Sequence, residues 1–322
     1  MINNIDILHI GLIVGGLILL IWGSDRFVYG ASALARNLGI TPLLVGLTIV
    51  AFATSAPEIL VSIISAIREE PGLAYGNALG SNIINIGLIL GLTAVIRPIG
   101  LEPTLNKKMQ ILLIISLLIV LLFLDANISR LDGIIMLVSL SITMFWFVKI
   151  ETQFASENPV KIDNESDSRK NISMKLTIFW FSLGLFALLV GADLLVDGAI
   201  GVARTLNISE IIIGITIVAL GTSLPELSIS IFSALKDEYG LAIGNIVGSN
   251  IFNLLAVIGA AAVIYPSDVN YRVLSFHFLI MILFTIALYF MTYKFNNKTV
   301  LSRAKGAVLV FGFTAYTIYV VI

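Results

Sequence analysis

The sequence predicts an all-α membrane protein: ten transmembrane helices arranged as two inverted five-helix repeats. Three observations predict this fold class: an unusually apolar composition, ten apolar stretches of spanning length and a pair of motifs that occurs twice. Of the 322 residues, 58% are apolar and 12% are charged, against about 45–50% and about 25% in soluble domains. Because a soluble protein needs charge at its surface, this composition excludes a soluble enzyme and a disordered chain. The lipid bilayer is therefore an expected partner.

Net charge and cysteine content exclude further classes of protein. The formal net charge is −1, so the chain has no basic field with which to bind nucleic acid. There are no cysteines, which excludes disulfides, thiolate metal sites and cysteine nucleophiles. No cofactor and no obligatory protein partner are expected, and the chain is expected to be a monomer.

The ten predicted helices follow from the lengths of the apolar stretches. Roughly 20 mostly apolar residues are needed to cross about 30 Å of hydrocarbon. Stretches of this kind lie at about 7–24, 41–67, 72–96, 109–124, 131–149, 175–196, 209–235, 241–264, 272–293 and 302–321. Tight polar turns separate most of them, including one at Lys107 and Lys108.

Region 151–174 is predicted to be a flexible hydrophilic linker between a first half, 1–150, and a second half, 175–322. It is rich in charge, beginning with Glu151, and nearly free of apolar bulk. If the N-terminus lies outside, fifteen of the 19 lysines and arginines fall in inward-facing loops and only four in outward-facing ones. By the positive-inside rule, both termini are then outside and the linker is cytoplasmic. The expected location is the plasma membrane, which in bacteria is the inner membrane.

Two motifs occur twice at a constant offset of 168 residues. GLTIVAFATSAPE at 46–58 matches GITIVALGTSLPE at 214–226, and GNALGSNIINIGLILG at 76–91 matches GNIVGSNIFNLLAVIG at 244–259. The repeated segments are therefore 46–91 and 214–259. Five predicted helices separate equivalent positions, and because five is odd the second copy is predicted to be upside down relative to the first. Inverted repeats recur in secondary transporters, whose sites lie near the membrane midplane.

Each copy carries one glutamate inside an apolar helix, Glu58 in the first and Glu226 in the second. A charged side chain near the bilayer centre costs at least about 2.5–3.5 kcal/mol on insertion scales. The structural alternative is a carboxyl that stays protonated or pairs with an arginine, but no basic residue lies within the motif helices. The two glutamates are therefore predicted to be functional.

A proline directly precedes each glutamate, at Pro57 and Pro225. Proline deprives the carbonyl four residues back of its helical partner, so neighbouring backbone oxygens such as those of Ala51 and Ala219 are predicted to be loosened. An unpaired carbonyl in hydrocarbon needs protein or a water-filled cavity to satisfy it, and a bound cation would serve as well. A simple helix kink is the alternative for the prolines taken alone.

Hydroxyl and amide side chains accompany the glutamates in both copies. The set consists of Thr54, Ser55, Thr222 and Ser223, three and four residues before the glutamates, and of Ser81, Asn85, Ser249 and Asn253, paired at i, i+4. Taken singly, each residue is also explained as a hydrogen-bonding contact between helices. Together they offer carboxylate, hydroxyl, amide and carbonyl oxygens from four helices, with no thiolate or histidine nearby.

This donor set favours a hard cation as the ligand. Calcium binds six to eight oxygens with carboxylates central, whereas zinc, copper and iron prefer imidazole or thiolate. Two glutamates supply a charge of −2, which matches one calcium ion or two sodium ions and favours a cation antiporter over a transporter of organic solutes. An intramembrane hydrolase using Ser55 or Ser223 would lack a base. A closed, carboxylate-bearing centre argues against a passive channel.

The doubled motifs G-x-T-x-V-A-x-x-T-S-x-P-E and G-N-x-x-G-S-N-I-x-N resemble those of the calcium/cation antiporter superfamily, specifically its sodium/calcium exchanger branch of the short bacterial type. The resemblance covers essentially the whole chain. It implies that several sodium ions enter for each calcium ion expelled, and that helices one and six slide as a gate. It also implies the ligands: Glu58 and Glu226 at the centre, the hydroxyls of Thr54, Ser55, Thr222 and Ser223, the carbonyls of Ala51 and Ala219, and Ser81, Ser249 and Asn85 lining the site.

One position departs from the family pattern. Several sodium/calcium exchangers carry an aspartate where this chain has Asn253, so the two copies are symmetric here, with Asn85 as its counterpart. The site therefore has one fewer possible negative charge. That difference leaves a potassium-linked or a proton-linked cycle as the alternative to a sodium-linked one.

Four other polar residues are interpreted as structural. For Asp25 and Asp193, near the ends of the first and sixth predicted helices, a position at an ion entrance is the functional alternative, but they are expected to cap a helix or to pair with nearby Arg36 or Arg204. His9 and His277 have no second histidine at ligand spacing and are interpreted as incidental.

Overall fold

The computed structural model describes residues 7–102, 104–157, 172–206, 219–268, 271–293 and 300–321. These residues form twelve helices. The first half contains α1 Ile7–Leu38, α2 Pro42–Thr54, α3 Ala56–Ile67, α4 Pro71–Ile96, α5 Leu105–Leu122 and α6 Arg130–Glu157. The second half contains α7 Met174–Thr205, α8 Ala219–Thr222, α9 Leu224–Leu235, α10 Tyr239–Ile264, α11 Tyr271–Thr292 and α12 Arg303–Val321.

Two short antiparallel strand pairs join the connections of the two halves. Strand β1, Ile99–Gly100, pairs with β4, Val300–Leu301. Strand β2, Asn127–Ile128, pairs with β3, Ser267–Asp268. Each pair thus ties a first-half loop to a second-half loop.

Seven helices within the described ranges are long and apolar enough to cross a membrane, and α2 with α3 makes an eighth if this bent pair forms one span. The axes of α2 and α3 meet at 43°. Helix α9 is apolar but only 12 residues long, and residues 209–218 of the seventh predicted helix lie outside the described residues. The chain is therefore a multi-pass helical membrane protein, while the number ten and the inversion of the halves remain predictions.

Two predicted helix lengths are wrong. Helices α1 and α7 each run for 32 residues, whereas apolar length placed their ends near 24 and 196. Hydropathy falls at these points, but the polar residues that follow do not break a helix, and several find partners. Ser24, for example, donates to Leu20 O and contacts Ser228 Oγ, each at 2.6 Å.

The predicted linker is also wrong at its first residues, because α6 continues through Glu157. Glu151 is only 3% exposed and forms an ion pair with Lys108, which is itself fully buried although it was expected in a polar turn. Thr41 Oγ1 donates to Glu151 at 2.8 Å. A buried charge is tolerated when it is paired and hydrogen-bonded, and sequence alone does not show this partnership. Residues 158–171 of the linker lie outside the described residues.

Helices α1 and α7 pack against each other along closely spaced glycines. A Cβ on Gly16 would lie 2.6 Å from Leu195 N, and one on Gly23 would lie 2.5 Å from Leu188 N. Small residues allow such close backbone contact between membrane helices. The contacted residue number on α7 falls as the number on α1 rises, so the two helices are antiparallel. They are equivalent in the sequence repeat, and an inverted repeat requires this relative direction.

Helices α4 and α10 lie at the centre and are largely buried. Helix α2 runs along the first half of α10, again through glycines. A Cβ on Gly244 would lie 2.6 Å from Leu43 O, and one on Gly248 would lie 2.5 Å from both Leu47 O and Ala51 Cβ. The first-half motif is therefore held directly against the second-half motif.

Candidate functional site

A break between two helices positions the first-half residues of the site. Ser55 lies between α2 and α3 with φ −81° and ψ 1°, and Pro57 and Glu58 fall in the first turn of α3. Proline is tolerated there because the first N–H groups of a helix have no intrahelical partner. The chain therefore ends one helix and starts another, instead of bending a continuous one. The new helix presents the positive end of its dipole beside Glu58.

The second half repeats this arrangement. Ser223 separates α8 from α9 with φ −94° and ψ 4°, and Pro225 and Glu226 fall in the first turn of α9. The S-x-x-E spacing is that of a helix capping box. Neither Ser223 nor its equivalent Ser55 makes the capping hydrogen bond, so neither hydroxyl is used by the helix it precedes.

The two glutamates lie together in the interior. Glu58 and Glu226 are each 1% exposed, and their carboxyls are close enough to repel each other electrostatically. The hydroxyls of Thr54 and Ser249 lie close to the Glu226 carboxyl. Thr54 belongs to the first half, so the site is built jointly by the two halves.

Thr54 is at the centre of this contact. Its Oγ1 lies 3.1 Å from Asn245 Oδ1 and 3.3 Å from Ser249 Oγ. It also lies 3.3 Å from the Ala51 carbonyl. That carbonyl, which was expected to be loosened by Pro57, accepts the backbone N–H of Ser55 at 2.9 Å because α2 extends to Thr54. A carbonyl oxygen has a second lone pair, so this bond does not prevent it from being a ligand.

Several buried oxygens of the site have no hydrogen-bond partner in the described part of the chain. They form three pairs related by the sequence repeat: Oε2 of Glu58 and Glu226, Oγ of Ser55 and Ser223, and Oδ1 of Asn85 and Asn253. Most buried polar atoms in proteins are paired. A cluster of buried acceptor oxygens is the arrangement that a dehydrated cation satisfies.

The remaining predicted residues lie on the two central helices or on α8. Ser81 and Ser249 are buried, and Asn85 Nδ2 donates to Asn250 Oδ1 at 3.0 Å, which joins α4 to α10. Asn85 and Asn253 each begin a short π-helical stretch, a feature frequent at functional sites. Thr222 is only partly buried, unlike Thr54. For Ala219 the backbone alone is described.

No lysine or arginine forms an ion pair with either glutamate among the described residues. Those residues also contain no group of three or more histidine, cysteine and acidic side chains that could hold a metal ion. Among the described residues the charge of the candidate site is therefore that of the two carboxyls, and the other predicted ligands offer neutral oxygens.

Two buried amides of the site are not among the predicted ligands. Asn245 contacts Thr54, and Asn250 contacts Asn85. Asn245 precedes Ser249 by four residues and Asn253 by eight, so all three share one face of α10. Extending the i, i+4 pattern by one turn toward the N-terminus would identify Asn245 from sequence.

Asp25 does not pair with Arg36, contrary to the expectation. It lies in the middle of the long helix α1, where its carboxylate is 2.7 Å from Lys236 Nζ and 3.6 Å from Arg26 Nε. Arg36 instead lies 4.0 Å from Glu238. The continuation of α1 beyond residue 24 places Asp25 beside the end of α9. His277 Nδ1 is hydrogen-bonded to the Tyr316 hydroxyl at 2.8 Å.

Comparison with known proteins decides the family. The family described as sodium/calcium exchanger protein matches residues 8–149 and 176–322, which is nearly the whole chain. The chain belongs to the sodium/calcium exchanger family. It is therefore a membrane transporter of inorganic cations and not an enzyme.

Relatives with known names support this assignment over their full lengths. The chain is 39% identical over 302 residues to CaxA of Alkalimonas amylolytica, which is named as an antiporter, covering 94% of this chain and 95% of the relative. It is 34% identical over 313 residues to the inner membrane protein YrbG of Escherichia coli K12, covering 96% of each.

A solved structure shows the same fold. The sodium-calcium exchanger NCX_Mj, soaked with Na⁺ and Sr²⁺, superposes with a TM-score of 0.83 at 32% identity, covering 96% of this chain and 97% of the other. The likeness therefore extends over nearly the whole of both chains.

Proposed function

We propose that the protein is a secondary active antiporter that exchanges calcium for sodium, with Glu58 and Glu226 as the central ligands. The observation that carries this proposal is that two buried carboxyls, one from each half, interact electrostatically, and that buried oxygens of the same site have no hydrogen-bond partner among the described residues. One calcium ion or two sodium ions neutralise two carboxylates. Because either ion needs the same oxygens, the two occupancies exclude each other, and this competition couples their transport.

The proposed ligand set follows the sequence repeat. It comprises Glu58, Thr54, Ser55, Ser81, Asn85 and the carbonyl of Ala51 from the first half, and Glu226, Thr222, Ser223, Ser249, Asn253 and the carbonyl of Ala219 from the second. Calcium takes six to eight oxygens in a flexible cage. Only some of these atoms are therefore needed to coordinate the ion that occupies the site at any one time.

The proposed architecture has ten spans in two inverted halves, 1–150 and 175–322, joined by a cytoplasmic connection, with both termini outside. The antiparallel packing of the equivalent helices α1 and α7 supports the inversion. The location proposed is the plasma membrane of a bacterium, as for the inner membrane relative. An electrogenic cycle would gain about 2.3 kcal/mol for each net charge moved across 100 mV.

The test is calcium uptake by the purified protein in liposomes. Vesicles loaded with sodium and diluted into sodium-free medium containing radioactive calcium should accumulate calcium, whereas vesicles without a sodium gradient should not. Internal and external pH are held equal. Uptake that ignores the sodium gradient would contradict the proposal.

A potassium- or proton-linked cycle is the second candidate, and one observation favours it. Within the described residues the site has only two carboxyls, because Asn85 and Asn253 carry neutral amides, whose Oδ1 atoms have no described partner. A smaller negative charge holds fewer sodium ions. In the same vesicles, calcium uptake driven by a potassium or a pH gradient at equal sodium on both sides would select this alternative.

A further inference from the structure

Asn245 is a fully buried amide on α10 that contacts both halves of the site. Its Nδ2 lies 3.4 Å from the backbone carbonyl of Glu226 and 3.4 Å from Ser230 Oγ. A carbonyl can only accept a hydrogen bond, so the amide nitrogen must be the end that faces Glu226. The other end, Oδ1, therefore faces Thr54 Oγ1 at 3.1 Å, and Thr54 must be the donor.

The direction of the Thr54 proton matters for a cation ligand. A hydroxyl has one proton and two lone pairs, and it can bind a cation only when the proton points away from the ion. Besides Asn245, the Thr54 hydroxyl has the Ala51 carbonyl and Ser249 Oγ as neighbours, each at 3.3 Å, and the Glu226 carboxyl close by. A proton directed to any of these three would occupy an oxygen of the proposed ligand set.

The equivalent amide of the first half is not held in this way. Asn77 is only partly buried, and its Nδ2 has no hydrogen-bond partner in the described part of the chain. Ser62, the equivalent of Ser230, donates instead to the Val257 carbonyl at 2.6 Å. The same residue type at equivalent positions thus has two different surroundings.

We propose that Asn245 is a positioning residue: by accepting the Thr54 proton, it keeps the lone pairs of Thr54 and the carbonyl of Ala51 directed to the cation. Asn245 itself is not a ligand in this scheme and acts through Thr54. The proposal rests on the proposed function, since it assumes that the buried oxygens bind a cation.

A double-mutant cycle on the full-length purified protein tests this role. The variants are Asn245→Leu, Thr54→Val and the pair together, and the readout is the calcium affinity measured by isothermal titration calorimetry in detergent. Each single variant should weaken binding about 3- to 10-fold, the effect of one lost hydrogen bond. The double variant should be no weaker than Thr54→Val, because Asn245 acts only through that hydroxyl.

Two further variants keep the test decisive. Asn77→Leu is the matched control and should change affinity by less than about 2-fold, since the Asn77 Nδ2 makes no described hydrogen bond. Asn245→Asp keeps an acceptor for the Thr54 proton, so Thr54→Val should still weaken binding in that background even if Asn245→Leu does not fold. If the losses of calcium affinity in the two single variants multiply in the double variant, the two residues act independently and the proposal is wrong. The proposal is also wrong if Thr54→Val no longer weakens calcium binding in the Asn245→Asp background.

Binding is measured without any gradient, which separates this role from the exchange activity. If the protein binds calcium and the double-mutant cycle shows coupling, but sodium does not drive calcium uptake, then the sodium-linked function is wrong and the role of Asn245 is supported. Sodium-driven uptake with independent losses in the cycle overturns the role of Asn245 alone. Absence of calcium binding by the unsubstituted protein overturns both.

Discussion

The two copies of the repeated motif share about half of their sequence but differ in the contacts that the described residues make. A Cβ on Gly248 would lie 2.5 Å from Leu47 O, whereas one on the equivalent Gly80 would meet no atom of the described residues within 4 Å. Gly244 and its equivalent Gly76 differ in the same way. The residues equivalent to Leu43 and Leu47, at 211 and 215, lie outside the described residues. Among the described residues, Ser62 donates to the Val257 carbonyl, whereas its equivalent Ser230 is contacted by Asn245. Equivalent residues of the two copies thus have different partners.

Polar contacts at the long helix α1 show the same asymmetry. Asp25 is paired with Lys236, while the equivalent residues of the other copy, Asp193 and Arg68, are both exposed and form no ion pair within the described ranges. In the described part of the chain, the ion pair between α1 and α9 therefore has no counterpart between α7 and α3. We expect variants at equivalent positions to differ in effect wherever the two copies are packed differently, and to agree only at the shared site.

The largest effect is expected at the two glutamates, where the copies should be equivalent. Glu58→Gln and Glu226→Gln should each abolish sodium-driven calcium uptake, a loss of at least about 30-fold, because each removes half of the buried charge that holds the ion. Gel filtration and the melting temperature without calcium should be unchanged. Full activity in either variant would mean that the halves do not share one site.

A smaller effect should distinguish the two glycines. Gly248→Ala forces a Cβ against α2 and should lower the free energy of unfolding by about 1–3 kcal/mol, as overpacking does. Gly80→Ala meets no described atom and should be neutral or should stabilise its helix by up to about 1 kcal/mol. Thermal unfolding in detergent measures both. Equal losses at the two positions would mean that Gly80 is packed as closely as Gly248.

A pH effect should reveal the contact between the halves at Glu102. Burial, chiefly, and the nearby Glu151 and Glu238 raise the pKa of this carboxyl to about 7, against the opposing effect of Lys108. Between about pH 4.5 and 7 the unfolded chain then loses a proton that the folded protein keeps, so stability should fall as the pH rises. Glu102→Gln should make the melting temperature less dependent on pH in this range. If the pH dependence of the melting temperature is unchanged in Glu102→Gln, a group other than Glu102 titrates in this range.

The smallest effect is expected at the ion pair of α1. Lys236→Ala should lower the free energy of unfolding by less than about 1 kcal/mol, because partly exposed ion pairs are weak, and the loss should shrink at high salt. Arg68→Ala, at the equivalent position, should cause no measurable loss. A larger loss of stability in Arg68→Ala than in Lys236→Ala would contradict this difference between the two copies.

The repeated motif is what predicts the candidate site, because in an inverted repeat equivalent residues of the two halves are expected at one place. Glu58 and Glu226 stand out in sequence, since carboxylates inside apolar helices need a function. The partnership of Glu151 with Lys108 joins residues 43 apart, and no local pattern reveals such a contact. The full length of α1 was not predictable either, because hydropathy measures burial in lipid and not helix continuity.

The most direct test is anomalous diffraction from crystals soaked with strontium, a heavier analogue of calcium. A single strong peak is expected between Glu58 and Glu226, with an oxygen of each carboxylate about 2.3–2.6 Å from the ion, or slightly more for the larger strontium. Separate peaks that each contact one glutamate, or a peak that contacts neither, would contradict a shared ion.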